Sequence, residues 1–442
     1  MPARPLERRS PWRWVPSLYL AEGAPYAVVM ELAVIMYKRL GISNADIALY
    51  TSWLYLPWVL KPLWSPAVDL LGTKRSWIIS LQLVIGALLA GIAFTIPLQA
   101  SLQWTLSLLW LLAFSSATQD TAIDGLYMLG LNEADQSAFI GIRNASYRIA
   151  MIAGQGALAI LVGRLENTLG LKFAWSAAFG ALSVLFAVSC VYHRTALPAP
   201  ASDKPSRSGS PGRIVLDFLG TFREFFQRRG ILAILAFLLL YRIDKALLVK
   251  LSSPFLLDPR ASGGIGLTMG QIGIACGTVG VLAITLGGLL GGYAISRHGL
   301  KSWLWVMVAA LHVPDAVYIY LAYAKPESLF LVSAAVAAEQ FGYGFGFAAY
   351  ILFMILTAEG KHKTAHYAIC SGFMALGMML PGMLSGSIQE FCGYRTFFCL
   401  VLLSGLAGCA AVTLVDIPPE FGKIRPRNEE LVQTPTAELV AV

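Results

Sequence analysis

LAFSSATQDTAIDGLYMLG, residues 112–130, is an apolar segment with two aspartates in its body, and its reading decides the fold. Asp120 and Asp124 stand one helical turn apart and, with Ser116 and Tyr127, form a polar stripe down one helix face. On a helix facing water such a stripe needs no explanation. Inside a membrane each carboxylate costs roughly 2.5 to 3.5 kcal/mol on insertion scales, so the stripe must face a cavity or a partner.

Composition selects the second case. The 442 residues are 57% hydrophobic and 13% charged, whereas soluble domains hold about 25% charged residues. The chain reads as an all-α integral membrane protein. A helical span needs about 20 apolar residues, which leaves room for about twelve spans with short connections. The six cysteines lie in or beside apolar stretches without paired CxxC spacing, as small buried hydrophobes do. No nucleophile–base motif, nucleotide loop or metal-ligand spacing points to an enzyme or a metal centre.

The basic N-terminus (1–14) precedes an apolar run that Glu22 and Glu31 interrupt, which favours an uncleaved first span over a signal peptide. Spans are expected at 15–37, 46–64, 76–96, 104–131, 137–163 and 173–192, then at 230–256, 269–296, 302–323, 328–357, 364–391 and 395–416. They make twelve transmembrane helices in two six-helix bundles, 15–192 and 230–416. The intervening 193–229 begins with a Pro/Ser-rich basic linker, HRTALPAPASDKPSRSGSPGR. It ends in IVLDFLGTFREFFQRR (214–229), where Val215, Leu219, Phe222 and Phe226 share a face. That segment is expected to lie as an amphipathic helix at the membrane interface or to extend span seven. A tail, 417–442, follows. The outer connections hold only Lys38, Arg39, Arg164, Lys172, Lys250, Arg260, Lys325 and Arg395, while most other basic residues fall on the opposite side with both termini. By the positive-inside rule the termini are cytoplasmic. The net charge of +8 then reflects a lipid bilayer as partner; dispersed over short loops, it does not point to nucleic acid.

The halves echo each other. WSPAVDLLGTKRSW (64–77) after span two and GGYAISRHGLKSWLW (291–305) after span eight place glycine and basic residues at comparable offsets. These loops resemble the cytoplasmic gate motif of the major facilitator superfamily, with Asp69, Lys74, Arg75 and Arg297 at its gate positions. In that fold spans one, four, seven and ten line the central path. Here those spans carry Glu22 and Tyr26; Gln119, Asp120 and Asp124; Arg242, Asp244 and Lys245; and Glu339, Gln340 and Tyr343. Glu22, Asp120, Arg148, Asp244 and Glu339 lie roughly 13 to 27 Å from the cytoplasmic ends of their spans, a common belt. Structural pairing of Asp120 with Arg148, or of Asp244 with Lys245 or Arg242, is the competing account of these charges. A carboxyl group taken out of water is harder to ionise, which permits proton coupling.

A sharper resemblance rests on FSSATQDTAIDG (114–125), FIGIRNASYRIAMIAGQGAL (139–158), EGAPYA (22–27) and the stretch 338–386. These are similar to the AmpG-like muropeptide permeases of the peptide/acetyl-coenzyme A transporter family. The resemblance implies a multi-pass protein of the bacterial inner membrane. It would import a cell-wall turnover product, a glycan or peptidoglycan fragment such as an anhydro-muropeptide, by proton symport, with the proton gradient in place of any cofactor. On this reading Asp120, Asp124, Glu22, Asp244 and Glu339 are the candidate proton-coupling acids. Gln119, Arg148, Arg242, Tyr26, Lys245, Gln340 and Tyr343 are the candidate substrate contacts. The alternatives are another cargo on the same fold (a sugar acid, a peptide, an acetyl-coenzyme A-like thioester or an exported amphiphile) or a membrane sensor that does not transport.

Overall fold

The computed structural model describes residues 10–131, 133–203, 220, 222–358 and 363–423. Among them helix is the only regular secondary structure. The segments join into consecutive runs, named here α1 (Pro11–Arg39), α2 (44–71), α3 (Lys74–Thr95), α4 (Ser101–Gly130), α5 (133–169) and α6 (Leu171–Ala196). The second half holds α7 (231–257), α8 (Met269–His298), α9 (Leu300–Ala324), α10 (Leu329–Ala358), α11 (363–392) and α12 (394–413). The last two are one uninterrupted stretch except at Gly393, whose φ of 74° is left-handed backbone that glycine adopts freely. Eight helices are long and apolar enough to cross a membrane, counting the α11–α12 stretch as one and searching the described residues. Large apolar side chains such as Phe94, Leu289, Phe330 and Phe391 stand exposed, which suits a lipid-facing surface. The chain is a multi-pass membrane protein.

Local chemistry sets the helix ends. Thr73 and Ser76 form a capping box that starts α3, Thr268 and Gln271 do the same for α8, and the Ser43 hydroxyl accepts from the Asp46 amide at the start of α2. Helix α1 opens at Pro11, four residues before the expected start of span one. The expected interfacial helix over 214–229 is described only at 220 and 222–229; residues 222–226 are helical, and Val215 and Leu219 lie outside the described residues. Phe225 is buried, its ring 5.7 Å from that of His366, so this end of the linker packs on the C-terminal half.

Helix α1 packs on α4 and α5, and α3 on α4 and α6; in the second half α10 packs on α8 and α9. The halves meet along α2 with α11 and along α5 with α8. At the second contact a Cβ on Gly277 would strike the Gly156 Cα, so the two backbones touch. Gly277→Val is therefore expected to cost about 1–3 kcal/mol by overpacking, read as a lower Tm in detergent. Three wide turns meet at this level: Val28–Leu32 of α1, Ile152–Ala157 of α5 and Gly273–Gly280 of α8 are all π-helical. Such turns rotate the side chains that follow and cluster at functional sites; here they carry Glu31, Gln155 and Cys276 to the cavity described next.

On the side away from the termini, polar contacts join the halves. Lys38 Nζ lies 2.7 Å from Asp258, Asn44 donates to Gln389 Oε1 at 2.7 Å and to the Tyr394 hydroxyl at 2.8 Å, and Tyr394 donates to Asp258 at 2.6 Å.

Candidate functional site: a charged central cavity

A cavity of about 430 Å³ lies between the halves, with walls from both. The first half contributes Glu22, Tyr26, Glu31, Tyr55, Trp58, Lys61, Ser116, Asp120, Tyr147, Arg148 and Gln155. The second contributes Arg242, Ser252, Ser253, Cys276, Tyr318, Gln340, Tyr343 and Phe347, with Ser371 and Met374 from α11. Aromatic rings, hydroxyls and charges thus share one lining, which offers apolar faces together with hydrogen-bonding groups.

The polar stripe of α4 meets this cavity. Ser116 and Asp120 line it, and Asp120 is ion-paired with Lys61 of α2. Asp124 pairs with Arg143 of α5 at 2.8 Å and accepts from the Tyr19 hydroxyl at 3.2 Å. Arg143 also lies over the Tyr19 ring, 4.6 Å from its centre. Glu22 of α1 is 9% exposed, and its carboxyl lies beside that of Asp120. Its Oε2 has no donor among the described residues. The three carboxyl groups of Glu22, Asp120 and Asp124 come within 4.8 Å of one another. They could offer oxygens to a cation, but Lys61 and Arg143 already supply two positive charges there. One carboxyl charge is left over, which a proton shared by the Glu22–Asp120 pair would neutralise.

Two guanidinium groups face the same space from opposite halves. Arg148 lines the cavity and has no carboxylate partner among the described residues. Arg242 is 8% exposed; it donates to the Tyr343 hydroxyl and lies 4.4 Å from the centre of the Phe347 ring. It too has no carboxylate partner among the described residues. Unmatched cations in a low-dielectric pocket are poised for an anionic ligand.

Among the expected residues, Gln119, Asp124, Lys245, Asp244 and Glu339 fall outside the cavity lining. Gln119 is buried and donates to the Ala21 carbonyl at 3.1 Å, tying α4 to α1 rather than lining the cavity. Lys245 is 1% exposed and is paired with Asp315 of α9 and, at 2.7 Å, with Glu339 of α10. It is held away from the cavity wall, as is Asp244, whose carboxylate lies 2.5 Å from His312 Nδ1. The expected pairings of Asp120 with Arg148 and of Asp244 with Lys245 or Arg242 are thus replaced by Lys61 and His312. Tyr26, Gln340 and Tyr343 line the cavity, and Gln340 donates to Glu339 at 2.8 Å.

The gate-loop residues have partners on the same side as the linker. The backbone amides of Lys74 and Arg75 donate to the carboxylate of Asp203, at the start of the linker, at 2.7 and 3.1 Å. The Arg75 guanidinium donates to the Arg194 carbonyl at 2.5 Å. Arg297 lies over the Tyr293 ring at 5.4 Å, and the Asp69 side chain falls outside the described residues. Lys250, placed by the sequence in an outer connection, is inside α7: it is 1% exposed and donates to the Thr51 hydroxyl at 3.0 Å. Of the residues that sequence reasoning passed over as site candidates, Lys61 is the most consequential. Its signal was a lysine inside an apolar span.

The sequence model described as Major Facilitator Superfamily matches residues 18–255, more than half of the chain. The chain belongs to the major facilitator superfamily. Within it, the anhydromuropeptide permease of Escherichia coli (strain K12) is 26% identical over 372 residues, 83% of this chain and 72% of the permease. The putative transporter AmpG 4 of Rickettsia conorii is 25% identical over 400 residues, 88% of this chain and 92% of its own. A crystal structure of the nucleoside transporter NupG matches with a TM-score of 0.66 at 16% identity, covering 91% of this chain and 98% of that one. A bacterial homologue of the human lysosomal transporter Spinster, inward-facing and unoccupied, matches with a TM-score of 0.62 at 15% identity over 95% and 97%. These two likenesses show the superfamily fold. The AmpG-named relatives agree with the resemblance carried by the span-four and span-ten motifs.

Proposed function

We propose that this protein is a proton-coupled symporter that imports an anionic, hydroxyl-bearing cell-wall turnover product across the bacterial inner membrane. One observation carries the cargo class: Arg148 and Arg242, from opposite halves, face one cavity without carboxylate partners among the described residues. The E. coli relative named an anhydromuropeptide permease supports an amino-sugar or peptide fragment of the cell wall as the specific cargo. The Glu22–Asp120–Asp124 group with Lys61 and Arg143 is the proton site, because its acids outnumber its bases by one and Asp120 shares the cargo cavity.

In this reading residues 15–192 and 230–416 are the two six-helix bundles, and both termini lie in the cytoplasm. The contacts of Lys38, Asn44, Asp258, Gln389 and Tyr394 close the outer side, so the cavity serves the cytoplasm in this conformation. Reorienting the bundles about the central site would break those contacts and alternate its access.

Uptake of a panel of labelled wall fragments into proteoliposomes, with and without a protonophore, tests the proposal. Faster uptake under an inward-directed proton gradient, abolished by the protonophore, is expected; gradient-independent uptake or none overturns it. Arg242→Ala is expected to weaken apparent affinity for the anionic cargo about 10- to 100-fold, the worth of a charge-assisted hydrogen bond. An uncharged analogue should lose much less, which separates charge recognition from a packing defect.

A further inference from the structure

The second half contains a group of titratable side chains that the cargo cavity does not use. Asp244 and Lys245 of α7, His312 and Asp315 of α9 and Glu339 of α10 are each at most 5% exposed, and none of them lines the cavity. Lys245 bridges Asp315 and Glu339, and His312 Nδ1 meets Asp244. Asp315 stands one turn from His312 on α9, and Asp244 is next to Lys245 on α7, so these two ion pairs bring the Asp244 and Asp315 carboxyl groups close to each other. Yet Asp244 Oδ1 and Asp315 Oδ2 are both buried without a donor among the described residues. Two carboxylates cannot satisfy each other, whereas one proton between them satisfies both oxygens.

Charge counting leads to the same place. Three carboxyl groups face one ammonium and one imidazole, so even with His312 protonated one negative charge is uncompensated; a neutral His312 leaves two. The other polar groups around the cluster do not remove the excess. Tyr241 donates to the Gly346 carbonyl, and Tyr343 accepts from Arg242. Tyr318 and Cys276, near Glu339, and Cys409 of α12, near Asp244, add no positive charge. His312 Nε2 also has no partner among the described residues, its ring lodged where a Cβ on Gly405 or Gly408 of α12 would strike it.

The geometry points to a second proton-binding site, the Asp244–Asp315 carboxyl pair buttressed by His312, separate from the one in the cavity wall. Its position gives it a task. Helix α7 breaks at Tyr241–Arg242, where Arg242 has φ −126° and ψ 26°, and Asp244 lies in the first turn of the segment beyond the break. The cavity-facing guanidinium and the buried pair therefore sit on either side of one joint. Proton occupancy of the pair sets how α7 is held against α9, and through the joint it sets where Arg242 stands. This consequence rests on the transport reading above; the proton itself does not.

The test needs no cargo. Infrared spectra of the purified protein in H2O and D2O report protonated carboxyl groups by their C=O stretch. The wild type is expected to show isotope-sensitive bands from two such groups. Glu22→Gln should remove one and leave the other, and Asp315→Asn should do the converse. Asp244→Asn provides the same readout should Asp315→Asn not fold as judged by size exclusion. Bands of wild-type intensity in both Asp315→Asn and Asp244→Asn overturn the second site. Loss of gradient-driven uptake with these bands intact would instead count against the transport reading.

Discussion

Lys245→Met is expected to lower stability by about 3–5 kcal/mol, the cost of removing one member of a buried ion pair. The ammonium is 1% exposed and is shared by two carboxyl groups, Asp315 and Glu339, on two different helices. Methionine fills most of the volume, so packing is largely kept. What is lost is the charge that lets two acids remain buried within the reach of a third, Asp244. Thermal unfolding in detergent should show a lower Tm, and the double variant Lys245→Met/Asp315→Asn should recover part of it. That recovery measures the coupling between the two groups directly. Unchanged stability in Lys245→Met would mean that the cluster is not held together by the lysine.

Asp120→Asn is expected to abolish accumulation of cargo against its gradient while leaving counterflow exchange measurable. Asparagine keeps the shape of the side chain and can still accept from Lys61, but it cannot share a proton with Glu22. Each pH unit of gradient is worth about 1.4 kcal/mol per proton, so losing one coupled proton lowers the attainable accumulation about tenfold per pH unit. Proteoliposomes loaded at different internal pH give this ratio. Accumulation in Asp120→Asn that matches wild type and rises equally with the gradient would remove Asp120 from the coupling step. The contrast with Arg242→Ala is informative, since that change should act on affinity and leave the coupling ratio intact.

Much of the organisation was legible before any coordinates. The choice of solvent followed from composition, and the positions of the helices followed from apolar runs punctuated by glycine, proline and capping residues. Both are local properties. The polar stripe of 112–130 divides between the two expected surroundings: Ser116 and Asp120 line the cavity, and both aspartates have ionic partners. An intramembrane carboxylate must find one, whatever the rest of the chain does.

What the sequence by itself determined, then, was that this chain spans a membrane as helices and carries a belt of charges in their interiors. Only the tertiary structure decided which charge meets which. Asp244 and Lys245 are neighbours in sequence, but successive residues on a helix point about 100° apart, and they find partners on α9 and α10 instead. Asp120 meets Lys61, 59 positions away, because α2 happens to pack on α4 at that depth. Lys250 turns inward beside Thr51 rather than out to solvent. The rotation and depth of one helix against another come from the packing of the whole bundle, which no short stretch encodes, and a one-residue change in either reassigns every pair.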